Sequence, residues 1–403
     1  MMTIGAVTVI ALPFILSEGR LFLASTILIN AIAVLSLVVL TGWAGQVSLG
    51  QYGMVGVGSI VGGALTAKVG MPFWVAVPAG VGLTAAIAVV VGLPALRIKG
   101  LFLLVVTFGF AVTVSGVLFN DRYFGWLIPD VVDRPSLFFL DFEDNRSMYY
   151  LSLAALVLAI VVVINLRRSR VGRLLIALRE NEANVQSFGL SPVRLKLLAF
   201  AIAGGLAGFA GVLFAHQQLG VSAESFNPGA SLTVFTSAVV GGISSPGGAL
   251  LGSAYAELVR EFTGSSPVAQ AFFGGGGPLL ILFMAPGGLI SVVNSMRDAA
   301  LRIVAQRRQI VVPSLFADYD PDVLEYRLVP LAPEDANSGL AALSPHERYT
   351  LRSELYKGKG MRIIDRLAGV KESRDATALA AAARSIEDAD APVAAGSRRE
   401  PSA

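Results

Sequence analysis

Few residues in this 403-residue chain are of a type and spacing that could do covalent chemistry. With no cysteine there is no disulfide framework and no thiolate metal site, and two isolated histidines cannot build one either. No G-x-x-x-x-G-K-[ST] run is present to cradle the phosphates of ATP, so any ATP must be hydrolysed by a partner. His216, beside Gln217 and Gln218 at the end of an apolar run, reads as a loop residue rather than a base. No combination of serine, histidine and aspartate suggests a hydrolase. The clear apolar runs hold no carboxylate, lysine or histidine, the nearest acid being Glu257. Proton-driven carriers keep such residues although each costs about 2.5–3.5 kcal/mol to insert, so proton coupling is disfavoured. A Na⁺-coupled carrier using backbone carbonyls stays open.

The residues that could do mechanical work lie between 172 and 190. Leu174, Leu178 and Val185 can share one helical face, with Arg179, Glu182 and Gln186 on another side. Gly189 suits the left-handed position that closes a helix. The stretch reads as one short amphipathic helix with a defined stop, of the kind that lies at lipid headgroups or docks on a partner.

The elements that must carry this segment are set by lipid. Hydrophobic residues make up 54% of the chain and charged ones 15%, with a mean hydropathy of +0.69, whereas soluble domains carry about a quarter charged residues. Residues 1–296 hold 15 Lys/Arg and 12 Asp/Glu, whereas 297–403 hold 16 of each, so a membrane part precedes a tail of different character. A net charge of +3 suggests no nucleic acid partner. Clear spans cover 21–41, 71–95, 101–120, 149–166, 197–215 and 268–290, with weaker ones at 1–16 and 47–67. Met1-Met2-Thr3 lacks the basic start of a cleaved signal, so 1–16 reads as the first span.

The stretch 231–262 is split by Gly241-Gly242-Ile243-Ser244-Ser245-Pro246-Gly247-Gly248, either as a break at membrane depth or as a turn between two crossings. Arginines and lysines over 167–196, with Arg97 and Lys99, mark cytoplasmic loops, and the acidic 121–148 marks an outer one. The expected fold is therefore an all-α integral membrane protein. It has about ten transmembrane segments, or eight plus a re-entrant hairpin, and both termini in the cytoplasm. Gly58/Gly62 and Gly204/Gly208 are spaced for close helix packing. The tail 297–403 is expected to be cytoplasmic, partly helical and then disordered from Ala376 onward.

Four motifs, in order, carry a resemblance. Thr41-Gly42-Trp43-Ala44-Gly45-Gln46-Val47-Ser48-Leu49-Gly50 resembles a G-x-A-G-Q-x-S-L-G signature, and Gly92-Leu93-Pro94-Ala95-Leu96-Arg97-Ile98-Lys99-Gly100-Leu101 a G-L-P-A-L-R-x-x-G-L turn. Gly172-Arg173 followed by Ala177-Leu178-Arg179-Glu180-Asn181-Glu182 and Gly189 looks like a cytoplasmic coupling loop, and Gly241-Gly242-Ile243 with Gly247-Gly248 and Gly252 continues the pattern. Together they resemble branched-chain amino acid ABC transporter permeases of the M type, over about residues 25–290.

That resemblance implies a bacterial cytoplasmic-membrane importer for leucine, isoleucine and valine, with urea or short amides as the alternative. It implies a second, H-type permease, two cytoplasmic ATPases that bind ATP and Mg, and an extracytoplasmic binding protein; this chain would hold no cofactor. Gly172, Arg173, Ala177, Arg179, Glu180, Asn181, Glu182 and Gly189 would then couple to an ATPase. Gln46, Ser48, Gly50, Gln51, Gly241, Gly242, Gly247 and Gly248 are candidates for the translocation path. Gln51-Tyr52-Gly53-Met54 and Gly125-Trp126 depart from the family's usual His-Ala-Ala-Phe and Gly-Gly, at positions where substrate or binding protein is met.

Overall fold

Lipid offers backbone N–H and C=O groups no partner, so apolar runs of this length close their hydrogen bonds within helices. The computed structural model describes residues 11–95, 101–137, 140–264 and 266–307. The chain divides into two units, Met1–Ala299 and Ala300–Ala403, the second of which is described only over 300–307. Residues 1–10, Arg97, Lys99 and the tail beyond 307 lie outside the described residues, and so do the expectations made for them.

After a helical turn over 11–15, α1 spans Glu18–Leu37 and runs on as a π-helix over Val38–Trp43. Then come α2 (Gln51–Ala67), α3 (Phe73–Ala95) and α4 (Leu101–Thr113, continued as a π-helix over Val114–Leu118). A short α5 (Asp121–Phe124) precedes α6 (Asn145–Arg168), α7 (Arg170–Glu180), α8 (Glu182–Ser187) and α9 (Pro192–Gln217). The last third holds α10 (Pro228–Gly241), α11 (Pro246–Thr263), α12 (Pro267–Gln270, followed by a π-helix over Ala271–Gly276), α13 (Gly277–Met284) and α14 (Leu289–Arg307). Three starts follow one rule: Ser191, Asn227 and Ser245 each precede a proline at the first helical position, where a missing N–H costs nothing. The Ser191 and Asn227 side chains also cap the N–H groups of Arg194 and Ala230.

Five helical stretches are long and apolar enough to cross a membrane: Glu18–Trp43, Phe73–Pro94, Asn145–Arg168, Pro192–Gln217 and Val268–Leu301. Phe102–Leu118 and Pro228–Gly241 are shorter apolar helices. This agrees with the expected helical membrane protein. α1 is central, with 83% of its span window buried, whereas only 17% of the window in Val268–Leu301 is buried, so that stretch is peripheral. On α6, Met148, Ser152, Ala155, Ala159 and Val163 form one buried stripe, while Val157, Leu158, Val161 and Val162 face outward.

Small residues let α9 pack closely on α2 and α3, as the spacing predicts. A Cβ on Gly58 would lie 2.6 Å from the Gly208 Cα, and one on Gly208 2.7 Å from the Thr84 side chain. The Ser59 hydroxyl donates to the Gly211 carbonyl at 2.8 Å.

The run 268–290 falls within the candidate span Val268–Leu301, as expected, but its helix ends at Met284, Ala285–Gly288 turns, and α14 starts afresh at Leu289. Pro286 cannot donate a helical hydrogen bond and Gly288, at φ +76°, is left-handed, so the apolar character continues while the helix cannot. The all-α class holds, with one short hairpin as its only departure among the described residues. Ser136–Leu137 and Leu140–Asp141 form a two-stranded antiparallel ladder before α6. At the end of α2 beside this segment, the Lys68 ammonium donates to the Gly125 and Trp126 carbonyls at 3.1 and 2.8 Å.

Candidate functional site

A single residue, Ser169, separates α6 from α7. Its extended backbone turns the chain, and its hydroxyl accepts from the Gly172 N–H at 3.2 Å. Gly172 is buried against the Leu166 carbonyl, with no room for a side chain. Arg173 donates to the Arg168 carbonyl at 2.7 Å, bracing the same corner. Leu175, Leu178 and Val185 are buried and Leu174 is partly so, while Ala177 and Glu180 are exposed.

The single helix expected across this segment is instead two. Asn181 leaves the helix at φ −155°, ψ 102°, and its side chain accepts from the Ala183 and Asn184 N–H groups at 3.0 and 3.1 Å. An asparagine that satisfies the next helix's first donors competes with continuation of the previous one. Gly189 has φ +74°, the left-handed conformation expected of the stop. Asn181→Ala is expected to cost about 1 kcal/mol of local stability, so that limited proteolysis between 181 and 189 speeds up roughly fivefold.

The last arginine of α7 does not project freely. The Arg179 guanidinium donates to the Gly42 carbonyl, at the end of α1. Its aliphatic stem covers Gly45, where a Cβ would lie 3.0 Å from the Arg179 Cγ and where φ is +69°. Only glycine meets both conditions at low cost. Arg167 from the end of α6 lies over the neighbouring Trp43 ring, 5.9 Å from its centroid, within cation–π range. Glu182 pairs with Lys196 of α9 at 2.9 Å, with Lys196 mostly buried. Two of the predicted coupling residues, Arg179 and Glu182, thus tie α7–α8 to the chain's own helices.

Gly42 and Trp43 also meet the hairpin formed by α10 and α11. The Gly42 Cα abuts the Ile243 carbonyl so closely that no side chain fits, and the Trp43 indole N–H donates to the Ser244 carbonyl at 3.2 Å. Gly242, at φ +113°, follows α10 as its C-cap. Gly241 and Gly252 pack backbone to backbone across the hairpin, with Gly248 against the Gly241 and Gly242 carbonyls. A Cβ on Gly288 would lie 2.6 Å from the Gly242 N, and one on Gly247 would lie 3.1 Å from the Ile290 Cδ1. Motifs 130–200 residues apart in sequence therefore form one contact chain, from Arg179 through Gly42–Trp43 to Ile243–Ser244 and on to the turn before α14.

The other path candidates are packed within the chain. Gln46 holds its own turn, its N–H donating to the Leu40 carbonyl at 3.0 Å and its carbonyl accepting from Thr41 at 3.1 Å. The Ser48 hydroxyl accepts from the Gly50 N–H at 3.3 Å, and the Leu49 N–H donates to the Thr107 hydroxyl at 3.0 Å. Gln51 is buried and donates to the Ala203 carbonyl, midway along α9, at 3.0 Å. Ser48, Gly50 and Gln51 line a cavity of about 10 Å³, roughly the room one water needs.

Sequence reasoning missed a polar group in the apolar core. Asn30 of α1 donates to the Glu257 carboxylate at 2.7 Å, Arg260 pairs with the same carboxylate at 2.6 Å, and the Tyr52 hydroxyl lies 3.4 Å from the Asn30 amide oxygen. The available signal was Asn30 itself, an amide in a long apolar run that needs a partner from another helix.

Comparison with known proteins bears on what this arrangement serves. Residues 19–283 match the model of a family described as branched-chain amino acid transport system, permease component. The chain is 32% identical over 313 residues, 72% of its length and 74% of the relative's, to the high-affinity branched-chain amino acid transport system permease protein LivM of Salmonella typhimurium, and equally to that of Escherichia coli K12. The autoinducer 2 import system permease protein LsrC of an Enterobacter species is 30% identical over 166 residues, 40% of this chain and 45% of that one. No solved structure matches the chain significantly. The motif order, the helical membrane fold and these matches agree: the chain belongs to the permease component family of branched-chain amino acid transport systems.

Proposed function

We propose that this chain is a membrane-spanning subunit of an ATP-binding-cassette importer for leucine, isoleucine and valine in the bacterial cytoplasmic membrane. Its partners are a second permease, two ATPases that bind ATP and Mg, and an extracytoplasmic binding protein. The observation that carries this reading is the contact of Arg179 with Gly42, which joins the basic α7–α8 segment to the turn beside Ser244. Here α7–α8, with Arg173, Ala177 and Glu180 toward the ATPase, acts as the lever, and Arg179 is a positioning residue that links it to the membrane helices. The glycines at 241, 242, 247 and 248 form a joint that shifts when the lever moves, and Gln46–Gln51 forms the neighbouring wall.

The basic residues of 167–196 put the coupling segment on the cytoplasmic side. The hairpin tip at Ile243–Ser244 reaches Trp43, the far end of a 26-residue span. This contact supports reading the hairpin as two crossings rather than a re-entrant loop, with α10, about 21 Å long, as a short span. Taking α1, α2, α3, α4, α6, α9, α10, α11 and the joined α12–α13 as one passage each, we count nine crossings between Glu18 and Met284, and ten with the segment expected at 1–16.

The test is purification of the tagged chain with its partners, followed by uptake of labelled leucine in competition with isoleucine, valine, urea and amides. Co-purification of two ATPases and a second permease, with competition by isoleucine and valine, is expected. Competition by urea or amides alone would overturn the substrate assignment, and uptake by the chain without any ATPase would overturn the importer reading.

A further inference from the structure

A cavity of about 520 Å³ lies between α10, α11 and the stretch 270–278, lined by Thr233, Thr236, Glu257, Arg260 and Gln270 among others. Its size falls within the 300–1,000 Å³ of ordinary small-molecule sites. Next to it is an open apolar cleft of about 270 Å³ lined by Leu258, Phe262, Ala269 and Phe273, whose three large side chains are exposed. Both are lined by Tyr255, Val259 and Thr263, so one polar and one apolar compartment share a wall.

Glu257 sits in the last two turns of α11 with Arg260 and Glu261, and a carboxylate at the end of an apolar span is a functional-site candidate. Glu257 is held, with its side chain 12% exposed, by Asn30 on one oxygen and Arg260 on the other. Arg260 gives one N–H to this pair and stays 70% exposed, leaving most of its donor fork available. The Thr233 and Ser237 hydroxyls donate to backbone carbonyls of their own helix, so what they offer the cavity is acceptor capacity.

We propose that these paired compartments form a substrate site for a zwitterionic α-amino acid with an aliphatic side chain. The substrate carboxylate takes the free fork of Arg260, its ammonium faces Glu257 and the threonine oxygens, and its side chain enters the apolar compartment. The pair of opposite charges on one helix turn matches a ligand that carries both charges on one carbon, which an uncharged amide does not. This site rests on the branched-chain amino acid reading given above and adds to it where the substrate is held.

The chain contains no cysteine, so Thr236→Cys introduces its only thiol. In the complete reconstituted complex, the rate at which a charged thiol reagent labels that position is read on this chain by mass spectrometry. Leucine at about ten times its dissociation constant is expected to slow labelling roughly tenfold, with glutamate and urea without effect. Adding Glu257→Gln or Arg260→Gln is expected to remove the protection while the complex still co-purifies. Labelling unaffected by leucine, at concentrations that saturate uptake by the unsubstituted complex, overturns the site and leaves the importer reading intact. Failure of the unsubstituted complex to take up leucine overturns that reading, and the site with it.

Discussion

Arg179→Ala is expected to lower leucine uptake by roughly 10- to 150-fold while leaving the subunit inserted and co-purifying with its partners. The range follows from a charge-assisted hydrogen bond worth about 1.5–3 kcal/mol, since each 1.36 kcal/mol is a factor of about ten. The bond is the direct link between α7 and the end of α1. Without it α7 keeps its buried leucines, Leu175 and Leu178, and so is expected to fold, while the proposed transmission of its motion to Gly42 would be lost. Arg179→Lys keeps the charge and loses the planar fork, so it should recover only part of the uptake. ATP hydrolysed per leucine transported is the measurement that separates this from simple loss of ATPase docking. Uncoupling raises that ratio, whereas lost docking lowers hydrolysis and uptake together.

Gly58→Val is expected to be strongly destructive to the membrane core. Its Cβ would lie 2.6 Å from both the Cα and the carbonyl oxygen of Gly208, atoms of backbone that cannot swing aside. Overpacking costs about 1–3 kcal/mol even where side chains can adjust, so separating α2 from α9 should cost at least the upper end of that range. The yield of folded, detergent-stable subunit measures it. Gly82→Ala is the matched control: nothing lies within 4 Å of its added Cβ, and the yield should stay unchanged.

Gly58 and Gly82 also show where sequence reading reaches its limit. Both sit in glycine-rich apolar runs; the Gly58/Gly62 spacing marks Gly58 as a packing position, while the placement of α9 supplies its partner Gly208 and leaves Gly82 facing outward. The long spans were legible because lipid demands an unbroken apolar run, and α1, α3, α6 and α9 are such runs. The break at 242–245 was legible because glycine and proline punctuate there. The break at Asn181 was not, because amphipathic periodicity continues on both sides and the interruption depends on one side chain capping the next helix. Likewise Ala285–Gly288 hides in a run whose apolar character never falters.

The candidate site was legible as separate motifs and not as a contact chain. The coupling segment, the Gly42–Gly50 signature and the glycine hairpin each stood out, but Arg179 on Gly42 spans 137 residues of sequence and Trp43 on Ser244 spans 201. Side-chain direction at the end of α7 decides that Arg179, although exposed, reaches the Gly42 carbonyl, and periodicity alone placed it on a side with Glu182 and Gln186. Asn30 and Glu257 are 227 residues apart, and their pairing became visible only when α11 was laid against α1.

The claim that force passes from α7 through Gly42–Trp43 into the hairpin is tested most directly by a double-mutant cycle on Arg179→Ala and Trp43→Phe, read as leucine transported per ATP hydrolysed. Trp43→Phe removes only the indole donor to Ser244 and keeps an aromatic ring under Arg167. If both lie on one path, the double variant should be no worse coupled than Arg179→Ala alone. Losses that add in full would contradict the account and place the two contacts on independent routes.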